Sequence, residues 1–559
     1  MEPKILPQIV LDYIEQVIRN VKYQHKVRQE VKAELLAHFE DALRGVKDDA
    51  DRQKKAEELI RDFGDVKLLA TLIRRGKKRC RPVWQKAIIR SFQTIGAMVL
   101  LLVLYIGWFF CGKPAITVNY VDKMNQLVRP VADEGRNAWP FYKEATAEYK
   151  KPDANDFDLS PQKLTNLNDV QRRMVEKWLA DNQQAMELIR QGNQKPYYWQ
   201  LYSVKPERNG IPEMLEVVVP NLSEYKELAW LLCWDAYWQA EKGNAGEAMG
   251  ILTDVYDFGR HIRGQNTILI EQLVGIAVEA IACKAMAEIP ADYKMDSATL
   301  ASAQQKYEKI LATKDFKIDF GGERLYLLDE IQRSFTQSRF GKSHLYLQRV
   351  YQLRRWEGLE NKHQIEALLG IVFDRPGIFF THPDRQKTLD DAERFYAMVE
   401  KSAAMTPATR KQQHCNFGEQ IEEGMGDNIL LNLLIPAVGK IVAIGYRVQI
   451  QSEATVVILA VQRYKLDKSR FPASLEELVK DGYLKQVPID PYSDKLVVYK
   501  PTENNFILYS IGPDFEDNGG QPGKDKNGKY NFGAEAGGDI VFWPVHKEES
   551  VKIQSSGKN

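Results

Sequence analysis

Three glutamates are the residues in this sequence whose type and placement could support acid–base chemistry. Glu271 and Glu279 lie on one predicted helix among many apolar positions, and Glu323 follows in a later helix. Buried carboxylates with shifted pKa values can act as the acid and the base of a hydrolase. An exposed helix flank is the alternative. Convergence of the three carboxylates in one concave pocket would favour an enzyme, and scattered surface positions would exclude it.

Other catalytic patterns are absent from the sequence. It contains no Gly-rich phosphate loop, no His-Glu-x-x-His zinc motif, no Cys-x-x-Cys pair and no Gly-x-Ser-x-Gly elbow. The five cysteines are isolated, and three of them, Cys233, Cys283 and Cys415, fall in the C-terminal part. Whether two of these three form a disulfide is left open. Cys233 and Cys283 lie in apolar helices, so we expect buried thiols there.

Composition sets the broad class of the protein. The chain has 559 residues, of which 44% are hydrophobic, and its 77 Lys and Arg against 76 Asp and Glu give a net charge of +1. This is the composition of a folded chain of several domains. A mean hydropathy of −0.41 is too polar for a multi-span transporter. The near-zero charge argues against nucleic acid as a partner.

The neutral total hides two oppositely charged parts on either side of an apolar segment. Residues 1–90 contain 21 Lys and Arg against 14 Asp and Glu, a net charge of +7, and the rest of the chain carries −6. Between them, the 20 residues from Ser91 to Phe110 contain no charge. About 20 apolar residues span the hydrocarbon core of a bilayer as a helix. The sequence therefore predicts one transmembrane helix at 91–111, with a buried core helix as the alternative.

The flanks of this segment predict its orientation. A basic cluster precedes it, and Trp108 lies near its far end, where an interfacial aromatic belt is expected. Positive flanks stay on the cytoplasmic side, so we expect the N-terminus on the cytoplasmic side of the membrane and the C-terminal region outside. Basic side chains near a bilayer also attract anionic lipid headgroups. The predicted membrane and lipid contacts are Arg74, Arg75, Lys77, Lys78, Arg79, Arg81 and Trp108.

Residues 8–73 predict four short amphipathic helices. Val10, Ile14 and Val17 recur at helical spacing. Asp48 or Asp49 fits an N-cap, Gly64 a C-terminal cap and Asp65 the next N-cap. With the steps Tyr13-Ile14-Glu15, His38-Phe39-Glu40-Asp41 and Phe63-Gly64-Asp65-Val66, the region resembles the HAAS domain, which is related to the permease prefix domain. The resemblance implies an interaction or signal-relay module without catalysis.

Residues 114–447 are predicted to be mostly helical. A helical hairpin is expected over 222–262 with its turn at Gly243-Asn244, and another strong helix over 269–289. The hairpin is similar to one tetratricopeptide unit, but whether a repeat array follows is left open. A second apolar stretch from Asn428 to Tyr446 is interrupted by Pro436 and Lys440. We interpret it as a core helix, with a membrane contact as the alternative.

The composition changes after about residue 452. The sequence predicts strands at 496–499, 506–510 and 540–543, with a Gly/Asp/Asn-rich loop over 512–538. Together with Arg463-Tyr464, Phe471-Pro472, Leu475-Glu-Glu-Leu478 and Val487-Pro-Ile-Asp-Pro-Tyr492, this order resembles the globular part of the type II secretion major pseudopilin. The resemblance implies a long helix on a small antiparallel sheet and a calcium-binding loop before the last strand.

In that resemblance, the positions that match the calcium loop are aspartates. Asp514, Asp517 and Asp539 are the expected ligands, with Asn518 and Asp525 as additional candidates. Carboxylates suit a hard cation such as calcium. Pilins begin with an extreme N-terminal apolar helix, whereas this module follows far behind the predicted span. A filament subunit is therefore not expected, and a borrowed module is the better interpretation.

These patterns together predict a mainly α protein with a C-terminal α+β module. The predicted parts are a cytoplasmic HAAS-like head at 1–75, a basic segment at 76–90, a transmembrane helix at 91–111, an extracytoplasmic helical domain at 112–450 and a pseudopilin-like module at 451–559. The predicted function is non-enzymatic: protein–protein interaction, signal relay or secretion-related assembly, with protein partners on one or both sides of the membrane. The alternative is a membrane-anchored hydrolase. The oligomeric state is left open.

Overall fold

The protein is described by a computed structural model. It describes residues 6–79, 83–109, 112–130, 132–152, 159–204, 210–219, 221–264, 266–313, 316–337, 343–356, 382–415, 428–435, 438–524 and 537–544. The chain divides into two compact units, Met1–Trp108 and Phe109–Asn559. Arg81 and Asp525 lie outside the described residues, as do the side chains of Lys78 and Arg79.

Four helices form the head of the first unit, as the sequence predicts. They are α1 (Gln8–Asn20), α2 (His25–Ala42), α3 (Asp49–Phe63) and α4 (Val66–Arg79). Their core includes Val10, Ile14 and Val17 from α1 and Phe39 from α2.

The predicted capping residues of the head are confirmed. Asp48 accepts a hydrogen bond from the amide of Asp51, and Gly64 ends α3 with a φ of 82°. Asp65 accepts from the amides of Lys67 and Leu68 at 2.9 Å, which begins α4. The hydroxyl of Tyr13 donates to the Gly64 carbonyl, so the turn between α3 and α4 is held against α1.

Helix α5 (Val83–Phe109) contains the predicted span. Ala87–Phe109 is long and apolar enough to cross a membrane, and the residues of its most apolar stretch are exposed. Leu430–Lys468 is also long and apolar enough to cross a membrane, but part of it is buried within the protein. Leu430, Leu431 and Val442 are buried, which agrees with the interpretation of 428–446 as core.

The second unit is mainly helical over its described residues. Its helices are α6 (Tyr120–Val128), α7 (Trp139–Glu148), α8 (Asp169–Asp181), α9 (Gln183–Asn193), α10 (Leu222–Glu241), α11 (Ala245–Arg263), α12 (Leu269–Asp292), α13 (Ser297–Leu311), α14 (Gly321–Ser334), α15 (Leu347–Trp356), α16 (Arg385–Ala403), α17 (Pro407–Gln412), α18 (Ile429–Leu434), α19 (Val438–Lys468) and α20 (Leu475–Lys480). The predicted hairpin is confirmed as α10 and α11, and the helix predicted at 269–289 is α12.

The strands are short and antiparallel. They are β1 (Ser203–Val204), β2 (Val217–Val218), β3 (Ile489–Asp490), β4 (Lys495–Leu496), β5 (Val498–Pro501), β6 (Phe506–Ser510) and β7 (Ile540–Trp543). β5, β6 and β7 form a three-stranded sheet in that order, and β1–β2 and β3–β4 are separate ribbons. The C-terminal antiparallel sheet is therefore confirmed.

One continuous hydrophobic core joins the helical body to the C-terminal sheet. Helix α19 packs against α12 and α13 and also against β7. Val457 and Val461 of α19 are fully buried in the same core as Leu252 of α11 and Leu508 of β6. The sheet and the helices are consequently both packed against the same long helix, α19.

Helices α11 and α12 approach each other closely because glycines occupy the crossing. A Cβ on Gly275 would lie 2.4 Å from the amide nitrogen of Arg263 and 2.6 Å from the Gly259 carbonyl oxygen. Both neighbours are backbone atoms, which cannot move aside as a flexible side chain can. The crossing fixes the C-terminal end of α11 against the middle of α12.

We predict that Gly275→Ala lowers the melting temperature of the detergent-solubilised chain, because overpacking at a backbone contact costs about 1–3 kcal/mol. The matched control is Gly250→Ala on α11, where an added Cβ meets nothing within 4 Å. That control should be neutral or stabilising by about 0.5–1 kcal/mol, since alanine favours the helix. Equal melting temperatures for the two variants would contradict the close crossing.

Candidate functional site

The C-terminal module is built around a buried aspartate. Asp490 on β3 is fully buried and accepts hydrogen bonds from the Ser510 hydroxyl at 2.7 Å and the Ile511 amide at 3.0 Å. It also accepts from the Tyr492 amide at 3.0 Å. One carboxylate therefore fixes the β3–β4 ribbon to the end of β6. The sequence reasoning missed this role, although Asp490 lies inside the quoted Val-Pro-Ile-Asp-Pro-Tyr motif.

The turn that follows α19 is held by a second carboxylate. Glu477 on α20 accepts from the Tyr464 hydroxyl at 2.7 Å, from Arg470 at 2.6 Å and from the Ala473 amide at 2.6 Å. The hydrogen bond from Arg470, followed by that from Tyr464, lowers the pKa of Glu477 to about 2. This partly exposed carboxylate accordingly stays ionised and keeps the Phe471-Pro472 turn closed over the end of α19.

The β3–β4 ribbon presents an apolar pair to the surface. Ile489 and Leu496 are directly opposite each other in the antiparallel register. Residues opposite in this register share one face of a ribbon. Ile489 is 59% exposed and Leu496 is 45% exposed. The two side chains form a small exposed apolar surface on the ribbon.

The three predicted calcium ligands are placed near the loop but are used as hydrogen-bond acceptors. Asp539 accepts from the amides of Asn518 and Gly520, and Asp517 accepts from the Tyr509 hydroxyl and the Gly519 amide. Asp514 accepts from the Asn518 side chain at 3.1 Å and from the Gly538 amide. Ionised carboxylates keep further lone pairs, so the donor set still suits a hard cation.

The pKa values of two of these aspartates are shifted in opposite directions. The hydrogen bond from Tyr509 lowers the pKa of Asp517, whereas burial raises the pKa of Asp539. Among the described residues, no group of three His, Cys, Asp or Glu side chains is arranged as a metal site. Residues 525–536, within the same loop, are outside the described part. The calcium site stays a prediction.

The glutamates of the hydrolase alternative each have polar partners within the second unit. Glu271 is fully buried and accepts hydrogen bonds from Gln200 and from the Tyr202 hydroxyl. Glu323 is only partly buried and accepts from the Leu269 amide at 3.0 Å. Glu279 is fully buried two turns further along α12, or about 12 Å by helical rise, where it pairs with Arg263 at 2.9 Å. Each of the three carboxylates thus has at least one polar partner within the protein, and the hydrolase stays a hypothesis.

The predicted membrane-contact residues lie on α4 and α5. Arg74 and Arg75 are exposed, and Lys77 forms a 3.2 Å ion pair with Glu34 of α2. Trp108, near the end of α5, is 41% exposed and lies beside Tyr105 with ring centroids 5.7 Å apart. Exposed basic groups on the helix before an apolar span, and an aromatic pair at its other end, suit the two interfaces of a bilayer.

Among the described residues of the second unit, Cys233, Cys283 and Cys415 are free thiols. Cys233 and Cys283 are buried, as predicted, and Cys415 is partly exposed. Burial raises the pKa of both Cys233 and Cys283, the latter to about 11. Thiols with raised pKa values are poor nucleophiles, so these two residues belong to packing.

We predict that Glu271 makes stability pH-dependent. Burial raises its pKa from an ordinary 4.5 to about 7, so the folded chain binds this proton more tightly than the unfolded chain. The resulting stabilisation is complete below about pH 4.5 and is lost as pH rises through about 7. Glu271→Gln should reduce the fall in melting temperature between about pH 5 and 8, with an upper bound of roughly 3 kcal/mol.

The pH test must allow for a second buried carboxylate and needs a control variant. Burial also raises the pKa of Glu330 to about 7, so Glu271→Gln removes only part of the dependence. The matched control is Glu187→Gln, on an exposed face of α9, which should leave the pH profile unchanged. A Glu271→Gln profile that overlays the parent profile would contradict the assignment.

The calcium prediction is tested by melting temperature. Calcium should raise the melting temperature of the parent chain, since a ligand that binds the folded state stabilises it. Asp514→Ala should abolish that rise, while Asp467→Ala, remote from the loop in sequence, should retain it. An unchanged melting temperature of the parent chain in calcium would contradict the predicted site.

Comparisons with known proteins bear on the C-terminal module. No protein-family model matches the chain, and no solved structure matches it. An alignment over 86 residues shows 33% identity to the type II secretion system core protein G of Pseudomonas aeruginosa, and it covers 12% of this chain and 61% of that protein. The chain thus spans less than two thirds of that relative. The similarity supports a pseudopilin-like module, whereas the HAAS resemblance stays a prediction.

Proposed function

We propose that this chain is a single-pass protein of the bacterial inner membrane that presents a pseudopilin-like module for secretion-related protein–protein assembly. The similarity to a type II secretion core protein is the observation that carries the proposal. The module is joined to a large helical body, and its exposed ribbon offers a contact surface. The work is contact-driven and needs no bond-breaking chemistry.

The proposed orientation places the head inside the cell and the second unit outside. Ala87–Phe109 provides the span, and residues 1–90 carry the positive charge. Cytoplasmic flanks of membrane helices are enriched in Lys and Arg. After the span, the nearest basic residues are Lys113 and Lys123, so the dense basic flank lies on the N-terminal side.

The proposed docking surface is the Ile489–Leu496 pair. Its occupant is an apolar surface of another component of a secretion assembly, similar in kind to core protein G. Burial of the pair on contact would gain roughly 25 cal/mol for each Å² of apolar surface removed from water. Because Asp490 fixes the ribbon to β6, docking requires little ordering of the chain.

A second contact surface is proposed on the cytoplasmic head. Leu68 and Leu72 lie one turn apart on α4 and are 60% and 55% exposed. Side chains at this spacing share one face of a helix. A partner at this face and a partner at the ribbon would place one chain in contact with proteins on both sides of the membrane.

We predict that a photo-crosslinking amino acid at Ile489 captures a component of the secretion machinery in intact cells. The matched control places it at Glu503, an exposed residue in the β5–β6 turn of the same module. The Ile489 position should give a discrete crosslinked band identified by mass spectrometry as a secretion component, and Glu503 should not.

A double variant checks the same surface without a crosslinker. Ile489→Asp with Leu496→Asp should abolish co-purification of that component while the melting temperature stays unchanged, since exposed substitutions rarely alter stability by more than about 0.5 kcal/mol. Co-purification that survives both substitutions, with no crosslink at Ile489, would contradict the proposed docking surface.

A further inference from the structure

A cleft of about 310 Å³ opens beside the C-terminal end of α11. The end of α16 and the segment 316–320 form its other walls. Its lining includes Arg260, Arg263 and Lys317, with Ile318, Phe320 and Ala403 as apolar neighbours. This volume is at the lower end of the range for small-molecule sites.

Arg260 lines this cleft and is a buried cation with an unused donor. Its side chain is only 3% exposed. One terminal nitrogen donates to the Ile310 carbonyl, while Nε has no hydrogen-bond partner. A buried donor without an acceptor costs free energy that a bound acceptor would recover.

Arg263, one turn further along α11, is also a buried cation with an unused donor. It is 6% exposed, its Nε pairs with Glu279 at 2.9 Å, and its guanidinium lies 5.1 Å from the centre of the Phe316 ring. Its Nη1 has no hydrogen-bond partner. The pair with Glu279 and the contact with the Phe316 ring hold the guanidinium plane in place.

The acidic groups around the cleft are engaged elsewhere or lie at its rim. The two carboxylate oxygens of Asp319 accept from the amides of Asn266 and Gly321. Glu400 is exposed. Glu279 and Asp257 attract Arg260 through space, but its Nε remains without an acceptor.

We propose that this cleft binds a small molecule through a carboxylate or phosphate group held by Arg260 and Arg263. Guanidinium groups match the geometry of both oxyanions. The apolar wall at Ile318, Phe320 and Ala403 accommodates a short carbon skeleton. The site is independent of the assembly function proposed above, because its residues lie on α11, α16 and the segment between α13 and α14.

The test measures the melting temperature of the full-length detergent-solubilised chain with succinate, with inorganic phosphate and with neutral succinamide, at matched ionic strength. At least one of the two anions should raise the melting temperature in a concentration-dependent way, and succinamide should not. A response to succinate alone assigns a small carboxylate, and a response to phosphate alone assigns a phosphorylated ligand.

Two variants locate the binding. Ala404→Glu places a carboxylate at an exposed position of the cleft lining and should abolish the response without a change in fold. Arg260→Gln should weaken the apparent affinity about ten-fold or more. Arg324→Gln, whose arginine pairs with Glu393, is the control and should retain the response. No response to either anion, or an undiminished response in Ala404→Glu, would overturn the site.

Discussion

The structure of the second unit depends on the burial of α19 against the helical body and the C-terminal sheet at once. This helix packs on α12 and α13 and also on β7. Ser452 on α19 accepts a hydrogen bond from the Tyr256 hydroxyl at 2.9 Å. Three turns later, the Tyr464 hydroxyl donates to Glu477 at 2.7 Å. Each fully buried aliphatic side chain stabilises the fold by about 1.5–3 kcal/mol. The pseudopilin-like part is therefore continuous with the helical body through one helix.

Local chemistry could be predicted from the sequence, because it depends on neighbouring residues. Asp48 and Asp65 cap helices, Gly64 ends one with a positive φ, and Gly243-Asn244 turns a hairpin. The strands at 506–510 and 540–543 agree with the structure to the residue. The calcium ligands came from a resemblance, and the described structure employs those aspartates as acceptors for backbone amides.

The interactions that could not be predicted join residues that are distant in sequence. Arg263 meets Glu279 because Gly259 and Gly275 let α11 approach α12, and no local pattern encodes that crossing. Asp490 fixes β3 to β6 by the same kind of long-range contact. The domain bounds predicted at 75 and 450 and the membrane orientation stay predictions, and the orientation depends on a bilayer beyond the chain itself.

The central claim is that the chain crosses the inner membrane once, with the head inside and the second unit outside. Its most direct test is trypsin added to intact spheroplasts, followed by immunodetection of an N-terminal and a C-terminal tag. The account predicts rapid loss of the C-terminal tag and protection of a fragment that contains residues 1–90 until the membrane is permeabilised. Loss of the N-terminal tag first, or protection of both tags, would contradict it.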